Sequence, residues 1–237
     1  FGINLNEYNS DCTVSNNSFY ETNTFTPTGN GTLTVININS ETGNNFSVIN
    51  NYIGGKTSNC GGDAWTKTNE YFNNFNGISV RVGFNSESNI QGNTIQNISW
   101  ANGNLSGGNT EFKVIGVYKG LVNIGTEAGN TIGSNIGTNS LNLTAYLQGY
   151  FYGIIIDDAT TICSNNKIGS ITTSSTSGYG YYMYGIYKTS ANRIFRVENN
   201  TIGSETTANS FDATSRAYNT QFGAWQHQIV YGIFSDM

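Results

Sequence analysis

One short phrase, written six times, constrains this chain more than its composition does. A glycine-aliphatic step stands at Gly2-Ile3, Gly77-Ile78, Gly116-Val117, Gly153-Ile154, Gly185-Ile186 and Gly232-Ile233, with a degenerate copy near Val35-Ile36. An Asn-x-aliphatic step follows, at Asn17-Ser18-Phe19, Asn51-Tyr52-Ile53, Asn93-Thr94-Ile95, Asn130-Thr131-Ile132, Asn166-Lys167-Ile168 and Asn200-Thr201-Ile202. Ile3 and Ile233 are 230 residues and six intervals apart, so the period is about 38. Within a well-marked copy the two aliphatics lie 14 to 17 residues apart, whereas the inserts between copies vary. A fixed internal distance with a variable insert is the mark of stacked repeats whose insertions emerge as loops.

The residue types at each step fit β structure. There is one proline, Pro27, and no 3.6-residue amphipathic pattern. The reading is an all-β right-handed parallel β-helix of about six coils, with three short strands per coil, a two-residue Asn corner and long loops at one other corner. Those loops are placed at 20 to 34, 54 to 76 and 203 to 231, and Trp65 and Trp100 are assigned to loops. Parallel strands bury one face along the axis. Phe19, Ile53, Ile95, Ile132, Ile168 and Ile202 should therefore form one internal ladder, and Ile3, Ile78, Val117, Ile154, Ile186 and Ile233 another. The Asn column follows from the corner, because Asn tolerates left-handed backbone and its amides can bond from coil to coil. Gly54, Gly133, Gly169 and Gly203 suggest a second bend. Residues 1-237 read as a single segment of a longer repeat array.

At this point the chain resembles a known family. Tyr184 to Ser204, YGIYKTSANRIFRVENNTIGS, resembles the pectate-lyase-like right-handed parallel β-helix repeats. Asn199 to Phe211 is similar to repeats of large secreted surface proteins and adhesins of gliding or biofilm-forming bacteria. The likeness spans essentially the whole chain and is specific for fold, since this scaffold carries lyases, hydrolases, tailspikes and adhesins alike. It implies an extracellular or cell-surface location in a bacterium, with flanking repeats of the same polypeptide and polysaccharide or cell-surface glycans as partners.

Charge narrows the function classes. Ten basic residues face 15 acidic ones, for a formal charge of -5, which lacks the basic footprint of a nucleic-acid binder. Charged residues make up only 11%, against about 25% in ordinary chains, so the surface meets water mainly through Asn, Thr, Ser and Gly. No apolar run is long enough to span a membrane. The cysteines Cys12, Cys60 and Cys163 lack metal-knuckle spacing; Cys163 takes the place of Val14, Val48 and Val197 and should be buried, whereas Cys12 and Cys60 could pair in an oxidising compartment.

Enzymes on such a scaffold need clustered carboxylates, with calcium and a base for a lyase. The one acidic pair, Asp157-Asp158, reads as a solvated strand end, and the sole histidine, His227, as a surface-loop residue. The expectation is no catalytic residue, no metal and no cofactor. Lys119 and Lys188 read as matching, solvated strand ends. The better binding candidates are the aromatics after the first-strand aliphatics, Tyr118, Tyr187 and Phe234, in an outward column with Asn4, Ser79 and Ile155, together with Trp225. Their ring faces suit sugar stacking. The competing reading is that a loop covers this face, with Tyr146, Phe151, Tyr179, Tyr181, Tyr182, Phe222 and Trp225 available to do so. Tyr152, Tyr184 and Tyr231 are expected to be core or corner residues.

Overall fold

The computed structural model describes residues 2–68, 70–103, 108–134, 136–137, 140–176, 179–190, 193–214 and 228–236. Among them the protein is all-β with no helix, and its strands assemble into three sheets whose ladders are parallel throughout. The first sheet runs through Ile3–Leu5, Gly31–Asn39, Asn73–Arg81, Thr110–Ile124, Gly149–Ser164, Tyr181–Lys188 and Ile229–Ser235. It carries a second arm, Thr13–Ser15, Ser47–Ile49, Ser88–Gln91 and Phe195–Glu198. The second sheet stacks the short strands after the Asn corner, from Ser18–Phe19 to Thr201–Ile202. Neighbouring strands in every sheet stand one sequence repeat apart, as the period requires.

The second sheet's aliphatic column stands in the expected register: Phe19, Ile53, Ile95, Ile132, Ile168 and Ile202. The first sheet's column needs a correction. Its members are Ile3, Ile36, Ile78, Ile115, Ile154, Ile186 and Ile233, so Ile115 fills the place assigned to Val117. Val117 lies two residues on, level with Ile38, Val80, Ile156 and Lys188. The Gly116-Val117 phrase imitates the repeat step but is out of phase by two.

The Asn column is continuous. Each ladder asparagine from Asn17 to Asn166 gives both its backbone N–H and its Nδ2 to the Oδ1 of the next, at 2.9 to 3.1 Å. From Asn51 to Asn166 the Nδ2 also donates to a carbonyl of the preceding repeat, as from Asn93 to Val48 at 2.8 Å. Asn51, Asn93, Asn130 and Asn166 are fully buried, so these bonds satisfy groups that water cannot reach. The left-handed residue is the one before the ladder member in five of the six repeats: Asn16, Asn50, Gly92, Asn165 and Asn199 all have φ between 55° and 63°, whereas before Asn130 the positive φ falls on Gly125, at 77°. The second bend uses Gly54, Gly133 and Gly203 at positive φ, but in the fifth repeat it falls on Ser170 instead of Gly169.

A third sheet lies where loops were expected: Trp65–Lys67, Ile98–Ala101, Leu141–Ala145, Ile171–Ser175 and Phe211–Thr214. Each repeat with this element thus contributes strands on four sides of the core, counting both arms of the first sheet. Trp65 and Trp100 are buried core residues, and Trp100 packs edge-on against Phe75 with ring centroids 5.1 Å apart. One inward column of the first sheet, Phe75, Phe112 and Phe151, stacks its rings in turn. All three cysteines are free thiols, and Cys12 and Cys60 are not bridged. Cys163 is fully buried between Ile124 and Val197, as its place in the repeat requires.

Candidate functional site

The outer face of the first sheet changes character along the stack. In one outward column the residues are Thr34, Asn76, Lys113, Tyr152, Tyr184 and Tyr231. In the next they are Asn4, Asn37, Ser79, Gly116, Ile155, Tyr187 and Phe234. A third column contributes Glu111, Tyr150 and Tyr182. Tyr152, Ile155 and Tyr184 form an apolar cluster separate from the main core, and Tyr150, Tyr182, Tyr187 and Phe234 pack against it.

This placement corrects the assignment of Tyr152, Tyr184 and Tyr231 to the inward side. Strict alternation would put them with Ile154 and Ile186, but the pleat slips by one residue at the glycine. Where that place holds a side chain, as at Val35 and Val114, both it and the following isoleucine are buried in the core. Two consecutive inward positions leave the tyrosine before them outside. At Gly153 and Gly185 a Cβ would come within 2.6 Å of a carbonyl of the next repeat, which keeps the place small.

The rings lie in parallel stacks. Tyr152 and Tyr184 have centroids 5.2 Å apart and planes 6° apart; Tyr150 and Tyr182 are 5.2 Å and 18° apart; Tyr184 and Tyr231 are 5.4 Å and 17° apart. Tyr187 bridges the columns, 4.7 Å from Tyr184 and 5.4 Å from Phe234. Ring faces are therefore turned to one another, and what the surface offers is edges and phenolic tips. Burial pushes the Tyr184 hydroxyl up to about 12 and raises those of Tyr150, Tyr152 and Tyr187 as well, so all are neutral donors and acceptors at neutral pH. The amino-terminal edge of the cluster is closed by Lys113, whose ammonium sits 5.9 Å from the Tyr152 ring and 2.7 Å from Glu111.

Of the expected site residues, Tyr187 and Phe234 come together here. Tyr118 does not share their column: Gly116 does, and Tyr118 sits at the irregularity between Val117 and Lys119. Its ring folds back over Gly116, where a Cβ would meet the hydroxyl at 2.7 Å, and Arg81 lies 5.9 Å from its centroid. Trp225, Phe222 and His227 lie outside the described residues. The loop-cover reading also changes, since Phe151 and Tyr181 are core residues in strands and Tyr182 belongs to the outer face itself.

The charged residues are engaged elsewhere. Lys119 and Lys188 do not match: Lys119 pairs with Glu41 opposite Asp158, whereas Lys188 is fully buried in the inward column, its ammonium donating to the Asp157 carbonyl oxygen. Burial lowers the Lys188 pKa. Asp157 accepts from Thr189 at 2.6 Å, and Asp158 pairs with Arg193 at 2.7 Å, so the two carboxylates serve different partners. A second buried lysine, Lys67, escaped the sequence reading; its ammonium donates to the carbonyls of Thr68, Tyr71 and Ala101 at 2.9, 2.9 and 2.6 Å. Among the described residues no three His, Cys, Asp or Glu side chains stand close enough to hold a metal ion. No protein-family model, curated protein or solved structure matches this chain.

Proposed function

We propose that the chain is a right-handed parallel β-helix serving as a structural and adhesive segment of a large secreted bacterial cell-surface protein. In this reading its coils form a stiff spacer and its outer tyrosine face contacts surface polysaccharide or glycan. Parallel ladders one repeat apart support the solenoid, and connections between parallel strands take the right hand in about 98% of cases. The observation that carries the contact role is the contrast along the outer face. The same columns are filled by Thr, Asn and Ser in early coils, so the sheet has no need of tyrosine there, and the aromatic cluster stands outside the core. Among the described residues Lys113 beside the cluster is paired with Glu111, and the Asp236 carboxylate acts on Tyr187, so the face presents no unpaired cation and favours a neutral, hydroxyl-rich polymer over an acidic one.

Retention of the chain on a panel of immobilised neutral and acidic polysaccharides tests this reading. The unaltered chain should be held by at least one neutral glycan, and a Tyr152→Ser, Tyr184→Asn double variant with unchanged strand content should not. Equal retention of the two proteins would remove the outer face from the proposal. We also expect no unsaturated products, followed by absorbance, on incubation with acidic polysaccharides; their calcium-dependent release would replace an adhesive segment with a lyase.

A further inference from the structure

The outward columns of the first sheet differ along the stack in bonding as well as in size. In the early coils the short polar side chains satisfy one another from coil to coil: the Asn37 amide donates to the Asn4 Oδ1 at 2.7 Å, and the Asn76 amide to the Thr34 hydroxyl at 3.2 Å. The later hydroxyls do not. Those of Tyr150, Tyr152, Tyr182, Tyr184, Tyr187 and Tyr231 make no hydrogen bond to a described residue, and none is sealed inside the protein. Their rings are packed against one another, so the unpaired groups stand in ordered rows. Along the axis the rings of Tyr152, Tyr184 and Tyr231 repeat every 5.2 to 5.4 Å, and Tyr150 with Tyr182 makes a second row at 5.2 Å. Across the axis, Tyr150 and Tyr152 are 6.2 Å apart.

We infer that these rows bind one chain of a neutral glycan whose pyranose units are linked 1,4 through equatorial oxygens, laid along the stack axis with one sugar to each repeat. The inference rests on the glycan-contact reading above and names the polymer. A pyranose linked in this way keeps its chain straight, and its five-bond repeat advances by about 5 Å, a little short of full extension. That is the spacing of the tyrosine rows. The equatorial hydroxyls of such a ribbon point to its two edges at the same interval, so each sugar meets the phenols of one repeat. A phenol both donates and accepts, which suits a sugar hydroxyl in either sense. An axial oxygen at position 1 would turn the chain at every unit and carry its hydroxyls out of line with the rows. A straight chain laid across the axis would fall out of step with the wider spacing there. On the amino-terminal side the rows end at Glu111 and Lys113, which pair with each other at 2.7 Å, so the described footprint is three repeats long.

Calorimetric titration with three hexasaccharides tests this: β-1,4-linked glucose, β-1,4-linked mannose and α-1,4-linked glucose, the first and last differing only at the anomeric carbon. At least one β-linked chain should bind about tenfold or more tighter than the α-linked one, because the bent chain forfeits two or more hydrogen bonds. Tyr184→Phe keeps the ring and removes the middle hydroxyl, so it should weaken that binding by about two- to tenfold. Tyr152→Phe and Tyr231→Phe should each do the same, since a chain along the axis meets all three. The urea midpoints of these variants should not move, because the hydroxyls bond to nothing among the described residues. Equal or tighter binding of the α-linked chain, or a loss confined to one of the three variants, overturns the ribbon or its direction and leaves the neutral-glycan reading in place. So does failure of all three hexasaccharides while an immobilised neutral polysaccharide still holds the chain. If neither is bound and strand circular dichroism is intact, both readings fall.

Discussion

Thr34 and Asn76 occupy, in the amino-terminal half of the first sheet, the column that Tyr152, Tyr184 and Tyr231 occupy in the carboxy-terminal half. In the adjacent column Asn37 and Ser79 stand where Tyr187 and Phe234 stand later. The inward isoleucine column shows no such break: Ile36, Ile78, Ile115, Ile154 and Ile186 are all essentially unexposed. One backbone therefore supports two outer surfaces. What packing demands is uniform along the stack, and what changes half-way is free of that demand.

The comparison first predicts where the two halves must behave alike. Asn93 and Asn166 each hold a backbone N–H of the repeat before them and a carbonyl of an earlier repeat, inside the protein. Replacing either by Leu orphans those groups, at about 1–3 kcal/mol for each buried unsatisfied partner. We expect Asn93→Leu and Asn166→Leu to lower unfolding free energy in urea by about 3 kcal/mol or more, and by similar amounts. A large cost in one half and none in the other would show that the ladder is not a uniform support.

Titration separates the halves with the next largest effect. Burial lowers the Lys67 pKa from its ordinary 10.5 to about 8, with Glu70 opposing the shift. Between those values the unfolded chain holds a proton that the folded chain has lost, so stability should rise as pH climbs through that window, by at most about 3 kcal/mol. The tyrosines act in the opposite sense. Burial raises Tyr184 from 10 to about 12, so the unfolded chain ionises first and stability should fall above about pH 10. Burial also raises the Cys60 and Cys163 thiols from 9.0 to about 11 and about 12, so the unfolded chain loses those protons first and urea midpoints measured from pH 7 to 11 should pass through a maximum near pH 9. Lys67→Met should reduce the rise to the part that Lys188, also lowered by burial, supplies and leave the fall, and a rise of undiminished size in this variant would assign it to another group.

Removing the aromatics should cost less stability than either. Stacked pairs contribute about 0.5–1.5 kcal/mol beyond their buried area, so Tyr152→Ser with Tyr184→Asn, which writes the amino-terminal pattern into the carboxy-terminal half, should lower stability by roughly 1–3 kcal/mol. Strand circular dichroism should be unchanged. Unfolding of the native state by this pair of substitutions would mean that the outer cluster is part of the fold.

The second sheet and the Asn corner were legible because a two-residue turn permits few residue types and a tightly packed column permits few shapes. The third sheet was not. Its column Trp65, Ile98, Leu141, Ile171 and Phe211 has intervals of 33, 43, 30 and 40 residues and shares no residue type beyond being apolar. No periodic phrase marks it, because insertions on either side absorb the variation. The outer tyrosines were visible as residues but assigned to the wrong face. Alternation across Tyr-Gly-Ile has one phase only if the glycine is an ordinary strand residue, and the consecutive buried pairs Val35-Ile36 and Val114-Ile115 were the signal that it is not. Lys188 was misread for a related reason: a lysine at an inward position looks intolerable until the neighbouring strand supplies the Asp157 carbonyl.

The smallest effect on stability comes from carrying the aromatic pattern in the other direction. Asn76 and Ser79 are half-buried outward residues directly below Lys113 and Gly116. A tyrosine at 76 would meet the Lys113 ammonium, whose other contacts are Glu111 and the Tyr152 ring, and cation–π contacts at exposed sites contribute about 0.5–1 kcal/mol. A tyrosine at 79 would meet the Tyr118 ring that already lies over Gly116. Against these gains stand the Asn76 amide bond to the Thr34 hydroxyl, 3.2 Å long, and the rotamer freedom lost by two large side chains. The opposing contributions nearly cancel, so Asn76→Tyr with Ser79→Tyr should shift stability by about 0.5 kcal/mol or less while lengthening the aromatic face by one repeat. If that face is the contact surface, retention on the polysaccharide that holds the unaltered chain should increase. A grafted protein that is equally stable and no better retained would confine any role of the tyrosines to the last three repeats.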